Sequence, residues 1–246
     1  MGVPSDVSFH LAFRRCLTHP ICNSSLISDE DVPKTVEAWR EKPSRKLDTL
    51  VLICLHHLNQ DNAVPLTIHP DNQTLVEDSS YVPPELPEYD LRGAKLGPDK
   101  IIIYSAFPSN LQFIGGVIKT LGIDYYWIDG RNSTTSRTQV LRQFRHSDRD
   151  GIRVLIVSNI GITGLNLDCA NIIINLDVLW SALEDQQLIG RAWRYPQVKP
   201  VRVYRLVGMK TPDVFLNNIS FEKGALQDAF VGSTPHLSSR SLPQRD

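Results

Sequence analysis

The stretch RVLIVSNIGITGLNLDCANIIINLD, residues 153–177, decides the fold. It contains two runs of apolar, mostly β-branched residues, at 153–158 and 171–177. Runs without polar alternation are typical of strands buried on both faces of a parallel sheet. Between them, Gly161 and Gly164 let the backbone approach a ligand closely. The stretch predicts strand, loop, strand, and the glycines fit either a ligand-facing loop or simply a tight turn.

The flanking sequence repeats this pattern. Three more apolar runs are strand candidates: KIIIYS at 100–105, YYWID at 125–129 and VRVYRLV at 201–207. Amphipathic segments between the runs predict helices near 109–121, 134–146 and 181–194. Repeated β-α-β units predict an α/β fold with a doubly wound parallel sheet. We expect this domain to occupy residues 99–230.

The rest of the chain has a different character. Residues 1–60 predict a helical extension, with the best helix at 46–60. Residues 61–98 are acidic and proline-rich and predict a poorly structured linker. The polar residues 231–246 predict a disordered tail.

The charge distribution is uneven although the formal net charge is only −1. Residues 61–90 contain seven carboxylates and no Lys or Arg, whereas residues 91–210 contain sixteen Lys or Arg and nine Asp or Glu. The middle of the chain is therefore basic enough to meet a polyanion. Four scattered cysteines favour a reducing compartment, and the apolar runs are too short to cross a membrane. We expect a soluble intracellular protein.

A second stretch, QQLIGRAWRYPQ at 186–197, carries the most specific polar pattern. In a helix, Gln187, Arg191 and Arg194 follow the spacing i, i+4, i+7 and lie along one face. The opposite face is predicted to pack in the core through Leu188, Ile189, Ala192 and Trp193. Two aligned guanidinium groups are suited to binding a phosphate.

The sequence contains no Walker A phosphate loop, because in GGVIKT (115–120) the lysine follows isoleucine rather than glycine. The acidic SDED (28–31) follows no strand and reads as a solvated loop. We therefore expect that the arginine helix cannot hold a Mg-nucleotide by itself. Zinc ligation by His10, Cys16, His19 and Cys22 is a weaker alternative, since their spacing matches no strong zinc signature.

The order of motifs from residue 100 to 207 resembles the C-terminal RecA-like lobe of the Swi/Snf-type helicase-like ATPases. The resemblance rests on KIIIYSAF, on YYWIDGRNSTTSRTQVLRQF, on the 153–177 stretch and on QQLIGRAWRYPQ, in that order. The segment 1–60 also resembles the part of that family that joins its two lobes. The resemblance implies a RecA-like fold.

The resemblance also implies roles for individual residues. Gln187, Arg191, Arg194 and Gln197 match the arginine-finger motif, whose guanidinium groups would reach ATP held by the other lobe. Gly164 and Asn166 match the glycine loop that couples nucleotide to DNA. The family contacts the DNA backbone at the positions of Ser105, Ser158 and Asn159. Asp129, Gly130 and Arg137 match the family's DG…R signature, and we expect Arg137 to contact nucleic acid.

Three positions depart from the family pattern. Gly190 replaces a common acidic residue, Trp193 replaces a histidine, and Tyr195-Pro196 replaces a small apolar residue followed by glycine. No metal site of this chain's own is implied.

The resulting hypothesis is the second motor lobe of a nuclear, DNA-dependent ATPase of the remodelling or repair class. It would bind double-stranded DNA and would use ATP with Mg²⁺ only together with a first RecA-like lobe, in cis or in trans. The alternative is a non-catalytic module that kept the fold and binds nucleic acid or protein. The arginines at 131, 137, 142, 145, 149 and 153 form either a DNA track or a solvated surface.

Overall fold

The computed structural model describes residues 6–23, 27–71, 74–159, 163–179 and 182–219. Its α-helices are α1 Asp6–Cys16, α2 Val36–Glu41, α3 Arg45–Asn59, α4 Leu111–Thr120, α5 Thr134–His146, α6 Ala182–Ala192 and α7 at 212–219. Its strands are β1 Leu66–Ile68, β2 Leu75–Glu77, β3 Ile101–Ser105, β4 Tyr126–Ile128, β5 Val154–Ser158, β6 Ile172–Asn175 and β7 Arg202–Arg205. Each of the five predicted apolar runs contains one strand, and each predicted helix from 109 onward is present.

Five of these strands form one parallel sheet in the order β4-β5-β3-β6-β7. The central strand β3 pairs with β5 through Ile101 and Val154, and with β6 through Ile101 and Ile172. Every residue of β3, β5 and β6 is buried, as their uninterrupted apolar sequences predicted. The predicted α/β fold with a RecA-like parallel sheet is confirmed.

Two hydrophobic cores lie on the two sides of this sheet. Ile101 and Ile103 of β3 pack into one core with residues of α3 and α4. Ile102 and Tyr104 pack into the other core with residues of α5 and α6. Because successive strand residues point to opposite faces, one uninterrupted apolar strand supplies both cores. The helices on both faces hold the loops at the sheet ends in fixed positions.

The predicted helix at 46–60 is α3, and it belongs to the first core. Its carboxyl end is also fastened to the sheet: Arg153 donates to the carbonyl of Leu58 at 2.6 Å. Nearby, His57 is fully buried and its Nε2 lies 2.8 Å from the hydroxyl of Tyr204 in β7. The N-terminal helical segment therefore shares a core with the sheet.

The segment 61–98 differs from the poorly structured linker that we expected. β1 and β2 form an antiparallel pair, with Leu66 opposite Glu77. The hydroxyl of Tyr204 accepts a hydrogen bond from the backbone N–H of Leu66 at 3.0 Å, which attaches this pair to β7. Strands of three residues are too short to produce a recognisable apolar period. The predicted tail, 231–246, lies outside the described residues.

Within the described ranges, no helix combines the length and apolarity that crossing a membrane requires. The same ranges contain no group of three or more His, Cys, Asp or Glu side chains placed to hold a metal ion.

Candidate functional site

Helix α6 presents the predicted polar face to solvent. Gln187 and Arg194 are exposed and Arg191 is half-buried, whereas Leu188 and Ala192 are buried in the second core. The start of the helix is fixed by Asp185, which accepts a hydrogen bond from Asn175 of β6 at 2.9 Å and pairs with Arg205 of β7. The sheet thus sets the direction of the arginine-bearing helix.

The prediction that Trp193 packs in the core is wrong. The α-helix ends at Ala192, and the Trp193 side chain is 60% exposed. Tyr195, two residues later, is equally exposed and lies under the guanidinium of Arg92, 5.4 Å from the ring centroid. The backbone N–H of Trp193 still donates to the carbonyl of Ile189 at 2.8 Å, so Trp193 stands at the last turn of the helix with its side chain turned to solvent.

The glycine loop is attached to α6 through Arg191. The guanidinium of Arg191 donates to the carbonyl of Leu165 at 3.3 Å, and the carbonyl of Arg191 accepts from the N–H of Leu167 at 2.9 Å. Gly164 has φ of +78°, in the left-handed region where a side chain is strained. The loop therefore turns at Gly164 and then runs along the end of α6.

The side chain of Arg194 differs from that of Arg191. Among the residues that the structure describes, its guanidinium has no hydrogen-bond or ion-pair partner. It is exposed just beyond the end of α6, close in the chain to the bonded Arg191. An exposed, unpaired guanidinium retains all five N–H donors for a ligand.

Asp168 organises the end of the glycine loop and was not predicted from the sequence. Its side chain is 1% exposed, and one carboxylate oxygen lies 2.5 Å from Arg145 of α5. The other oxygen lies 3.6 Å from Arg92 and accepts from the side-chain amide of Asn166 at 3.4 Å. The sequence around Asp168 gives no sign of these ion pairs, because the two arginine partners are 23 and 76 positions away in the chain.

Gln197, predicted to contact nucleotide, is engaged within the protein. Its amide donates to the carbonyls of Asp168 at 2.9 Å and Ala170 at 3.1 Å. Its carbonyl accepts from the N–H of Lys199 at 2.9 Å. The Gln197 side chain therefore joins the loop before β6 to the loop before β7. In this arrangement Gln197 would affect a ligand by positioning the loop that contains Asp168.

Arg137, Gly164 and Asn166 come together along one cleft between α5 and the glycine loop, with about 1020 Å³ of space that is partly open to solvent. Arg137 donates to the carbonyls of Asn132 and Asp129, each at 3.2 Å, so it also braces the turn after β4. Gly130 is exposed in that turn.

Ser105 and Ser158, which the resemblance placed at the DNA backbone, are not exposed. Each is fully buried at the carboxyl end of its strand. Ser105 donates to Asp177 at 2.7 Å, and burial raises the pKa of that carboxyl group. Asn159, the residue after Ser158, is exposed. The three residues share one edge of the sheet, and of the three only Asn159 is exposed.

Most arginines of the run are bound to other groups of the protein. Five of its six members bind groups of the protein: 131, 137, 145, 149 and 153. Arg142 is exposed and has no partner among the described residues. Spacing cannot reveal these pairings, since Arg149 and Arg153 both reach Asp61, about ninety residues earlier.

The five-stranded parallel sheet carries the glycine loop and the arginine-bearing helix α6 side by side. The family of helicase conserved C-terminal domains matches residues 85–196.

Three relatives locate the chain within that class. An uncharacterized ATP-dependent helicase of Schizosaccharomyces pombe is 26% identical, over 91% of this chain and 24% of that protein. The DNA repair and recombination protein RAD54-like of Drosophila ananassae is 27% identical, over 76% of this chain and 26% of its own length. The DNA repair protein rad8 of Schizosaccharomyces pombe is 39% identical, over 45% of this chain and 10% of its own length.

The matched part of the chain, residues 85–196, is a helicase C-terminal domain related to the Swi/Snf-type ATPases. The chain spans about a quarter or less of the length of these relatives.

Proposed function

We propose that this chain is the second motor lobe of a DNA-dependent ATPase that works on duplex DNA in the nucleus, in remodelling or repair. The observation that carries the proposal is Arg194, an exposed guanidinium with no partner among the described residues, beside a helix that the sheet holds in place. A planar cation is suited to the charge that develops on transferring phosphoryl oxygens.

In this proposal the two arginines do different work. Arg194 reaches ATP bound with Mg²⁺ by a first RecA-like lobe, and Gln187, exposed on the same helix, contributes a neutral polar group. Arg191 keeps one N–H group on Leu165 and so couples the nucleotide to the glycine loop. This chain supplies no phosphate loop, so we expect no ATP hydrolysis from it alone.

Duplex DNA would contact the exposed polar groups near the glycine loop. Asn159 is exposed after β5, Asn166 is exposed in the loop, and Arg142 is an unpaired cation on α5 within the described residues. These groups would meet backbone phosphates rather than base edges, so binding would be independent of sequence and sensitive to salt. Ser105 and Ser158 are left out of this surface because they are buried.

The second candidate function is a non-catalytic protein-binding module. The exposure of Trp193 and Tyr195 favours it, since adjacent exposed aromatic side chains are common at protein interfaces. Both candidates share the fold and differ in whether Arg194 acts on nucleotide.

The deciding experiment joins the chain to a first lobe. The full chain is assayed for ATP hydrolysis with duplex DNA, alone and after fusion behind the first lobe of a Swi/Snf-type ATPase. We expect activity only in the fusion, and a loss of about 10³-fold or more on Arg194→Ala. Arg194→Lys should fail nearly as badly, since an ammonium group does not reproduce the planar guanidinium.

The matched control is Arg40→Ala, which removes an exposed arginine of α2 and should leave the rate unchanged. A fusion that hydrolyses ATP equally well with and without Arg194 would refute the motor-lobe proposal. A chain that binds a folded protein partner through Trp193 while its fusion stays inactive would establish the second candidate instead.

A further inference from the structure

A second cleft lies at the amino end of the sheet, where Lys100 precedes the central strand β3. Its space is about 1190 Å³, part of it open to solvent, and neither Arg191 nor Arg194 lines it. The backbone of Lys100 is held on both sides: its N–H donates to Asn171 at 3.2 Å and its carbonyl accepts from Ile172 at 3.1 Å. The lysine side chain therefore starts from a fixed point beside the cleft.

Lys100 is a buried lysine without a counter-ion. The residue is 3% exposed, yet its ammonium group makes no hydrogen bond or ion pair with any residue in the described part of the chain. Other lysines with little exposed side chain are paired here. Lys199 donates to Asp99 at 2.8 Å and to the carbonyl of Gly97 at 2.7 Å, and Lys46 pairs with Asp213 at 2.9 Å.

The charges around Lys100 are mainly positive. Burial lowers the pKa of its ammonium group, the neighbouring Cys169 thiol opposes that shift, and Lys199, Arg153 and Arg145 lower the pKa further. Of the carboxylates around it, Asp99 is bound to Lys199 and Asp168 to Arg145, whereas Asp90 and Asp148, which also line the cleft, accept hydrogen bonds from backbone N–H groups. Lys100 thus has no counter-ion in the described part of the chain, and a ligand that brings negative charge into the cleft would be stabilising there.

Two arginines line the same cleft as Lys100. Arg92 and Arg145 both line it, and their side chains are 51% and 34% exposed while they hold Asp168. Their fork of donors can serve a second anion beside the first. A phosphate group carries up to two negative charges and several acceptor oxygens, which suits a lysine flanked by arginines.

We propose that this cleft binds the phosphate group of a small phosphate-bearing molecule, with Lys100 as its central contact and Arg92 and Arg145 at its rim. Arg194 does not line this cleft, although Pro196 and Gln197, which follow it in the chain, do. The phosphate site goes beyond the proposed motor function and requires neither a first lobe nor ATP hydrolysis.

The test titrates the full chain with inorganic phosphate at constant ionic strength, with chloride as the balancing anion, and follows binding by calorimetry. Adenosine monophosphate and adenosine are titrated in parallel. We expect phosphate and adenosine monophosphate to bind and adenosine not to bind. Tighter binding of the monophosphate than of phosphate would identify a nucleotide as the source. Binding of inorganic phosphate alone would identify the free ion, and either result supports the site.

Three variants locate the binding. Lys100→Met keeps a side chain of similar length without charge and should weaken phosphate binding by about tenfold or more. Lys119→Met removes an exposed lysine of α4 and should change nothing. Arg194→Ala should also leave phosphate binding intact. Binding that survives Lys100→Met, or that is lost only with Arg194→Ala, would overturn the proposal.

A measurement on the unsubstituted chain covers the case in which Lys100→Met does not fold. The titration of Lys100 is followed by nuclear magnetic resonance in phosphate and in chloride. A bound anion favours the charged amine, so phosphate should raise the pKa of Lys100. An identical titration in both buffers would mean that Lys100 is an unliganded core lysine, and the proposal would be wrong.

Discussion

Replacing Arg191 and Arg194 by alanine should change the free energy of unfolding by different amounts, although the two residues look equivalent in sequence. Arg191 is half-buried and donates to the carbonyl of Leu165 at 3.3 Å, whereas Arg194 is exposed and has no partner among the described residues. We therefore expect Arg191→Ala to destabilise the fold and Arg194→Ala to leave the free energy of unfolding nearly unchanged.

The size of the difference follows from the contacts. A hydrogen bond from a charged donor contributes about 1.5–3 kcal/mol, and partial exposure reduces that contribution. Leu165 is 9% exposed, so its carbonyl would be left short of a partner. Together these effects give about 1–2 kcal/mol for Arg191→Ala. An exposed residue without contacts falls within about 0.5 kcal/mol of zero, which is the expectation for Arg194→Ala.

The assay is urea unfolding followed by circular dichroism. With a slope of about 3 kcal/mol per molar urea, Arg191→Ala should lower the midpoint by about 0.5 M without changing the slope. Arg40→Ala serves as the exposed control. Arg191→Lys should recover part of the loss, since an ammonium group can still donate to a carbonyl. Equal stability of the two alanine variants would refute the assignment of Arg191 to the glycine loop.

The sheet was predictable because burial on both faces leaves a local signal. Apolar runs such as those that became β3 and β6 identify strands without information from distant residues. Helix α5 matched its predicted span of 134–146 because Ser133, whose side chain accepts from the N–H of Ser136, marks its start locally. Chain order alone then placed the glycine loop and the arginine helix together.

The site's internal bonds were not predictable because they join residues that are far apart. Nothing near Asp168 indicates that Arg92 and Arg145 converge on it, and Gln197 gave no sign that the backbone would use its amide. Motif position assigned roles to Ser105 and Gln197 without regard to burial. A motif states which residue types occur at a site, whereas packing decides which of them remain available to a ligand.

Three further predictions concern stability. Asp99→Asn should lower the free energy of unfolding by about 3–5 kcal/mol, because it leaves the buried ammonium group of Lys199 without its carboxylate. Thermal unfolding measures this loss, and a value below about 1 kcal/mol would contradict the prediction. Gly164→Ala should lower the free energy of unfolding by about 1–2 kcal/mol. The cause is its φ of +78° alone, since an added Cβ meets nothing within 4 Å. Gly190 of α6 also has open space around an added Cβ, and because alanine favours helix, Gly190→Ala should raise the free energy of unfolding by up to about 1 kcal/mol. The last prediction concerns pH. Burial, with help from the charges of His56 and Arg202, lowers the pKa of His57 from its ordinary 6.5 to about 4. The unfolded chain therefore binds a proton that the folded chain refuses between these values, and stability should fall as pH drops through this window, by up to about 3 kcal/mol. The urea midpoint is measured at pH 7, 6, 5 and 4. It should decrease with falling pH in the parent chain and equally in the control His146→Gln, which changes an exposed histidine. In His57→Gln the midpoint should depend much less on pH. A slope that persists unchanged in His57→Gln would mean that another group controls the acid sensitivity.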